Sequence, residues 1–357
     1  MGEPVAAPFL LWGRTTVAGV IGWDIGGAHL KAVRAQDGVI VAAVQLPCAP
    51  HLGVAQIESA LREAKGSLGD ADRHAVTMTA ELSDAFPDRA AGVAQVAAIC
   101  AHELGGEHLS FYAGAGGFVS RADVAPRARS IASANWRASA ELAARHCENA
   151  LLIDMGSTTT DIVPICGHAV AAQGEDDAGR LACGELVYTG LLRSSPAAGL
   201  TLAPVGGRLV PLVDEQFATM ADAHRLLNDI PEGVDTGPTV DGRDKGLEAS
   251  RARLARLVGC DAKDHAPEAW DALAAFFVRS QLRRIEDRLA LLVSRAPSLS
   301  RAEIVGAGVG RGVVAALAKH EGRAYRDFGE FLPRSSAAIS VSDCAPACAV
   351  ALLAGEL

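Results

Sequence analysis

Leu151–Pro164 reads LLIDMGSTTTDIVP: an apolar run, an aspartate, a tight glycine turn with a serine, three threonines, a second aspartate and another apolar run. The apolar residues before Asp154 suit a buried strand, and Ile162 and Val163 continue on the far side of the turn, so the stretch reads as a β-hairpin. Gly156 permits a sharp bend with its N–H bare, and Ser157, Thr158 and Thr159 add hydroxyl donors beside it. A nest of N–H and O–H groups of this kind is an anion site. Asp154 and Asp161 would repel an anion unless a divalent cation or a transferred proton sat between them, so the turn points to phosphate together with Mg²⁺. An ordinary hairpin closed by such a turn is the plainer alternative.

A second copy of the pattern favours the phosphate reading. Val20–Val33 reads VIGWDIGGAHLKAV, and laying Asp24 on Asp154, 130 residues later, puts Gly26 on Gly156, Gly27 on Ser157 and Lys31 on Asp161. That offset is too long for a solenoid repeat and fits a duplicated domain. Each hairpin opens a similar order of elements. In the first half, strands at 17–25, 28–35 and 38–46 precede a helix at 54–65, a strand at 75–79, a helix at 88–103 and a strand at 109–113. The second half restarts with strands at 150–155, 159–166 and 168–173, continues through a long polar and helical stretch, and resumes at Ala302–Val305 with helices after Val309 and Pro346.

The expected architecture is therefore α/β: two duplicated βββαβαβ, ribonuclease H-like domains facing a central cleft. Residues 1–16 form a loose tail without the basic start of a signal peptide, 17–147 the first domain, and 148–357 the second, with a helical insertion at about 182–300. The glycine run Ile304–Val313, IVGAGVGRGV, carries Gly306, Gly308 and Gly310 where a strand turns into a helix, which suits a plain cap of strand and helix as well as a nucleotide-type turn.

Composition narrows the partners. Half of the 357 residues are hydrophobic but only 4% aromatic, so the cores are built of Ala, Val and Leu as in α/β layers. A net charge of −9 argues against a nucleic acid or an anionic membrane, which leaves any phosphate site local. The arginines in 247–259 and 276–295 fall between apolar residues at helical spacing and read as solvated faces rather than an RNA surface. Eight scattered cysteines with no CxxC suit a reduced, cytoplasmic chain, and no window is long and apolar enough to cross a membrane. The expected partners are small molecules, and a homo-oligomer is compatible with the sequence.

The doubled layout with its DIGG and DMGST turns resembles the actin, sugar-kinase and Hsp70 superfamily. Within it, GWDIGGAHLKA, TMTAELSDAFPDRAAGV (77–93), Asn135-Trp136, LLIDMGSTTTDIVPI, CGELVYTGLLRS (183–194) and DGRDKG (241–246) together resemble the hydantoinase/oxoprolinase-like proteins that accompany tetrahydromethanopterin-linked one-carbon metabolism. The resemblance covers nearly the whole chain after the tail. It implies a transferase that joins a furanylmethyl diphosphate to a phenolic amine such as γ-glutamyltyramine, forming an ether and releasing diphosphate. Asp24, Asp154 and Asp161 would then hold Mg²⁺. Gly26, Gly27, His29, Lys31, Gly156, Ser157, Thr158, Thr159 and Arg243 would meet the phosphates, and Asp154, Glu185, Tyr188, Asp244 and Lys245 are the candidates for the chemistry. Asn135 and Trp136 either line the cleft or pack a helix start, and Glu81 is equally readable as a helix N-terminal acid. The three glycine turns also permit an ATP-dependent kinase, an oxoprolinase-like hydrolase or a nucleotide-binding regulatory protein.

Overall fold

A computed structural model describes residues 19–106, 108–335 and 341–357, so the expected tail at 1–16 lies outside the described residues. The first half runs β1 (Gly19–Ile25), β2 (His29–Gln36), β3 (Val39–Pro47), α1 (Ala55–Leu68), β4 (Arg73–Met78), α2 (Arg89–Leu104), β5 (Leu109–Tyr112), β6 (Phe118–Ser120), α3 (Val124–Ile131) and α4 (Asn135–Ala144). The second half runs β7 (Asn149–Met155), β8 (Thr160–Cys166), β9 (Ala169–Val170), α5 (Asp177–Cys183), β10 (Leu186–Val187), β11 (Leu202–Val205), β12 (Arg208–Pro211), α6 (Met220–Leu226), α7 (Leu247–Arg256), α8 (Pro267–Arg295), β13 (Glu303–Ala307), α9 (Arg311–His320), β14 (Tyr325–Asp327) and α10 (Ala345–Ala354).

The two main sheets share one topology. The first has the order β3-β2-β1-β4-β5-β6 and the second β10-β8-β7-β13-β14, each with an antiparallel hairpin followed by parallel strands. This is the duplicated α/β layout expected from the two hairpins. β1 is buried at all seven positions, as a central strand covered on both faces must be, whereas β2 alternates. The hairpin β11–β12 and helices α6 to α8 intervene between β10 and β13, with a core of their own around Trp270, Leu254 and Phe277.

One expected strand is divided. Only Ala169–Val170 of the 168–173 stretch pairs with β8, at Ile165 and Cys166, while β10 covers Thr160 and Asp161 further along the same edge. Between the two, the chain detours because the Glu185 carboxylate accepts hydrogen bonds from the N–H groups of Gln173 and Gly174, at 2.9 and 3.0 Å. The detour carries α5 to the mouth of the cleft.

Two helices tie the halves together by crossing over. α4 leaves the first half and packs on β7, β8 and β9, while α10, the last helix, packs on β1, β2 and β4, and the two helices contact each other. Their small side chains, Ala138, Ala140, Ala347 and Ala351 among them, form a core shared by both sheets. Gly22 makes the approach possible, since a Cβ there would run into the Ala347 carbonyl and lie 2.8 Å from the Ala351 methyl. The crossing sets the two hairpin turns facing one another over the start of α10.

Candidate active site

The repeat read from sequence is a repeat of register. Asp24 lies opposite Lys31 across β1–β2, and Asp154 lies opposite Asp161 across β7–β8. Both turns close alike, with Gly26 N–H donating to the His29 carbonyl at 3.0 Å and Gly156 N–H to the Thr159 carbonyl at 2.9 Å. The expectation that Gly156 keeps its N–H bare is therefore corrected: the hairpin uses it. The N–H groups left over are the next ones along. Among the described residues, those of Gly27, Ala28, Ser157 and Thr158 have no hydrogen-bond partner, and all four residues line the same cavity. The second turn is braced from behind by Leu191, Leu192 and Arg193, whose N–H groups donate to the carbonyls of Gly156 and Ser157 at 2.8–3.0 Å. Gly190 allows the brace to fit, because a Cβ there would lie 2.6 Å from Thr158 N. Free N–H groups held in place by such a brace form a rigid anion cradle.

Behind the turns, buried acids face one cation. Burial, opposed in part by Lys31, raises the Asp24 carboxyl to about 6, and its Oδ1 is buried without a hydrogen-bond partner. Burial again, reinforced by the charges of Asp161, Asp24 and Asp343, raises Asp154 to about 7. Burial works against the Lys31 ammonium, but Cys344 and the carboxylates of Asp24, Asp154 and Asp343 outweigh it and raise its pKa. Lys31 Nζ donates to the Asp343 carbonyl at 2.6 Å, so the start of α10 anchors it between the hairpins. His29 is driven the other way: burial first, then Lys31 and Arg193, lower it to about 4, leaving a neutral imidazole that meets Thr236 Oγ1 at 3.1 Å.

The residues present fit a divalent cation in part. An orphaned carboxylate oxygen on Asp24 and two buried carboxyls with raised pKa values, Asp24 adding to the shift of Asp154, constitute a demand for positive charge that Lys31 alone does not meet. Asp161 does not join them. Its Oδ1 is held at 2.6 Å by Arg180, and among the described residues the three carboxylates do not converge to within 4.8 Å of one another, so Asp24 and Asp154 are the two of the three expected aspartates without an arginine partner.

The cavity between the turns has a volume of about 330 Å³. Asp24, Lys31 and Asp154 line it together with the turns, and Ser133, Trp136, Leu82, Leu186 and Tyr188 line it as well. Arg180 lies over the Trp136 ring at 4.0 Å, and its Nη2 donates to the Glu185 carbonyl at 2.8 Å. A second cavity of about 430 Å³ shares Gly27, Ala28, His29, Ser157 and Arg193 with the first and extends along Leu52, Leu192 and the Thr236–Val240 loop of the insertion. The result is a two-chambered cleft, with Gly27, Ala28 and Ser157 at the junction, Trp136 and Tyr188 in the first chamber and apolar side chains in both.

The sequence agrees with a known group. A sequence model of the hydantoinase/oxoprolinase family matches residues 72–355. The chain belongs to the hydantoinase/oxoprolinase family. It is 30% identical over 244 residues to the (4-{4-[2-(γ-L-glutamylamino)ethyl]phenoxymethyl}furan-2-yl)methanamine synthase of Methanocaldococcus jannaschii, covering 68% of this chain and 72% of that one. It is 32% identical over 114 residues to the Methanococcus vannielii protein of the same name, covering 32% and 51% of the two chains. Both relatives are synthases, which supports enzyme activity for this hydantoinase/oxoprolinase-family protein. Among solved structures, a nucleotide-free acetone carboxylase superposes with a TM-score of 0.53 at 11% identity, over 85% of this chain and 67% of that one, a likeness of fold.

In this family member, several residues singled out from sequence lie elsewhere than expected. Glu185 is fully buried and lines neither chamber; besides the two N–H groups it accepts, it pairs with Arg295 at 3.0 Å. Lys245 is held by Asp235 at 3.2 Å, Asp244 caps Gly246 N–H at 2.7 Å, and Arg243 is exposed beside Asp241. None of the three lines the cleft, because the polar DGRDKG loop closes on its own ion pairs behind the 235–240 segment. The Gly306–Gly310 turn is also closed: Gly308 N–H donates to the Ser342 carbonyl and Gly310 N–H to the Met155 carbonyl, each at 2.8 Å. Its glycines serve close packing, since a Cβ at Gly308 would overlap Asp154 and one at Gly310 would overlap Met155.

The remaining candidates come together. Asp24, Gly26, Gly27, His29, Lys31, Asp154, Gly156, Ser157, Thr158, Thr159, Asp161 and Tyr188 all line the first chamber. Sequence reasoning missed Arg180, Asp177, Arg193 and Ser133, which line it too. Arg193 lies within the CGELVYTGLLRS string (183–194), which is the local signal it offers; a lone arginine on a seven-residue helix such as α5 offers none.

Proposed function

We propose that this protein is a transferase of methanofuran-type cofactor synthesis. It condenses (5-aminomethyl-furan-3-yl)methyl diphosphate with a γ-glutamyltyramine or tyramine-like phenol, so its partners are small molecules. The bond from the furanylmethyl carbon to the diphosphate oxygen breaks with its electron pair leaving on diphosphate, and the phenol oxygen forms the new ether bond to that carbon. The reading rests on the first chamber, whose lining brings the unpartnered N–H groups of Gly27, Ala28, Ser157 and Thr158 together with Lys31 and Arg193, and whose Gly27, Ala28, Ser157 and Arg193 also line the second chamber.

Diphosphate is a poor leaving group unless its growing charge is met. Fixed donors that meet it more strongly in the transition state than in the ester lower the barrier, and a single such donor is worth roughly 10²–10³ in rate. Mg²⁺, held at Asp24 and Asp154, would supply further neutralisation of the leaving diphosphate. The walls suit the organic parts: Trp136, Leu82 and Leu186 offer an apolar lining in one chamber, and Leu52 and Leu192 do so in the other. The reading gives Gly306–Gly310 a packing role and requires no adenine pocket.

Calorimetry separates this reading from a nucleotide-dependent one. Diphosphate and the furanylmethyl diphosphate are expected to bind in the presence of Mg²⁺, with ATP binding no more tightly than diphosphate. Tight ATP binding with hydrolysis, and none of the furan ester, would defeat it.

A further inference from the structure

The acceptor phenol has a pKa of about 10, and attack at carbon is faster if its proton is removed as the bond forms. With Glu185, Asp244 and Lys245 outside the cleft, the first chamber offers another arrangement. Ser133 lines the chamber, and its hydroxyl donates to Glu81 Oε1 at 2.9 Å. Glu81 is 1% exposed, and its Oε2 is buried with no hydrogen-bond partner among the described residues. Ser133 is held with φ of 51°, a left-handed backbone that a serine adopts at a cost of about 1 kcal/mol and that directs it onto Glu81. The arrangement is clamped from behind by α2, because a Cβ on Gly92 would lie 2.8 Å from the Glu81 carbonyl oxygen and 2.9 Å from its Cβ. A strained serine and an under-satisfied buried carboxylate, kept beside a cleft, are costs that a purely structural contact does not require.

We infer that Ser133 and Glu81 form the proton relay for the acceptor: Ser133 Oγ accepts the phenol proton while its own proton passes to Glu81, as the phenol oxygen bonds to the furanylmethyl carbon. The proposal rests on the transferase reading above. Ser133 spends its one hydroxyl proton on Glu81 and lines the chamber, so the capacity its oxygen has left is to accept. Ser133 touches the substrate, and Glu81 acts through it. The charged group facing Glu81 is Asp177, itself paired with Arg89 at 3.2 Å, and burial foremost raises the Glu81 carboxyl above its ordinary range, which strengthens it as a base. The Trp136 ring and Leu82 of the same chamber supply a surface for the aromatic acceptor.

The test compares wild type, Glu81→Gln and Ser133→Gly with an ordinary tyramine-type phenol and with a fluorinated one about two pKa units more acidic, alongside Mg²⁺–diphosphate binding. Glycine suits the left-handed backbone, so Ser133→Gly keeps the fold where another residue would strain it. Both variants are expected to lose about 100-fold in kcat with the ordinary phenol. The deficit should shrink below about tenfold with the acidic one, and diphosphate affinity should stay within about twofold. Full rates in either variant, or equal losses with both phenols, would overturn the relay. A wild-type protein that binds diphosphate but makes no ether would instead defeat the transferase reading beneath it.

Discussion

Asp24 and Asp154 occupy the same register position in two hairpins related by duplication, each directly across from the residue seven positions later. In one hairpin that residue is Lys31 and in the other Asp161, so the duplicated site is acidic on one side and balanced on the other. The carboxyls are raised to about 6 and about 7, with burial the largest cause for each. A carboxyl whose pKa is higher in the folded than in the unfolded chain contributes stability that is complete below about pH 4 and is lost as the pH rises through its folded value. Without metal, the thermal midpoint is therefore expected to fall between pH 5 and pH 8. Asp154→Asn should flatten that slope and recover on the order of 1–3 kcal/mol at pH 8, read by thermal and urea unfolding. Millimolar Mg²⁺ should raise the midpoint more at pH 8 than at pH 5, since the cation binds the ionised pair.

Arg180 carries a different load. Its side chain is 1% exposed, pairs with Asp161 at 2.6 Å and lies over Trp136. Arg180→Met removes the charge and leaves Asp161 without its partner, a change expected to cost about 3 kcal/mol or more. Arg180→Lys should recover only part of this, because an ammonium supplies neither the forked donors nor the planar face. If Arg180→Lys matches wild type in denaturant midpoint, the stacked, forked geometry is not what stabilises the wall.

Gly308 has a φ of 78° and sits against Asp154 and the Met155 carbonyl. Gly308→Ala is expected to destabilise by about 1–3 kcal/mol and to weaken Mg²⁺–diphosphate binding, because the methyl group must displace Asp154. Gly312, where an added Cβ meets open space, is the control; Gly312→Ala, on α9 just after the turn, should leave Mg²⁺–diphosphate binding unchanged and should not destabilise.

Glu185→Gln should lower stability by about 2 kcal/mol through the lost Arg295 pair and two charge-assisted hydrogen bonds, with kcat per folded molecule retained. A large fall in kcat with unchanged stability would return Glu185 to the chemistry.

The strands were readable because duplication doubled the signal: DIGG and DMGST sit on hairpins whose registers coincide, and the apolar runs around them are long enough to fix strand positions within a residue or two. The third strand of the second half was overestimated because its end depends on Glu185 reaching back to Gln173 and Gly174, a contact with no periodicity. The site was half legible for the same reason. Asp24, Lys31, Gly156 and Ser157 lie on the repeated turns, whereas Arg180 reaches the cleft only through the detour, and Ser133 only through a left-handed backbone that its residue type does not announce. Conversely, the polar composition of DGRDKG suggested ligand contact, yet Lys245 and Asp244 spend their polarity on Asp235 and on Gly246. Composition does not distinguish a loop that binds a ligand from one that binds itself.

In the proposed reaction the facing turns hold a diphosphate leaving from a furanylmethyl carbon. The most direct measurement incubates the purified protein with Mg²⁺, the furanylmethyl diphosphate and γ-glutamyltyramine, and quantifies ether and diphosphate together. Equal amounts of both, formed without ATP and abolished in the Asp24→Asn/Asp154→Asn double variant, are the expected result. Diphosphate release without ether, or ether formation that consumes ATP, would contradict it.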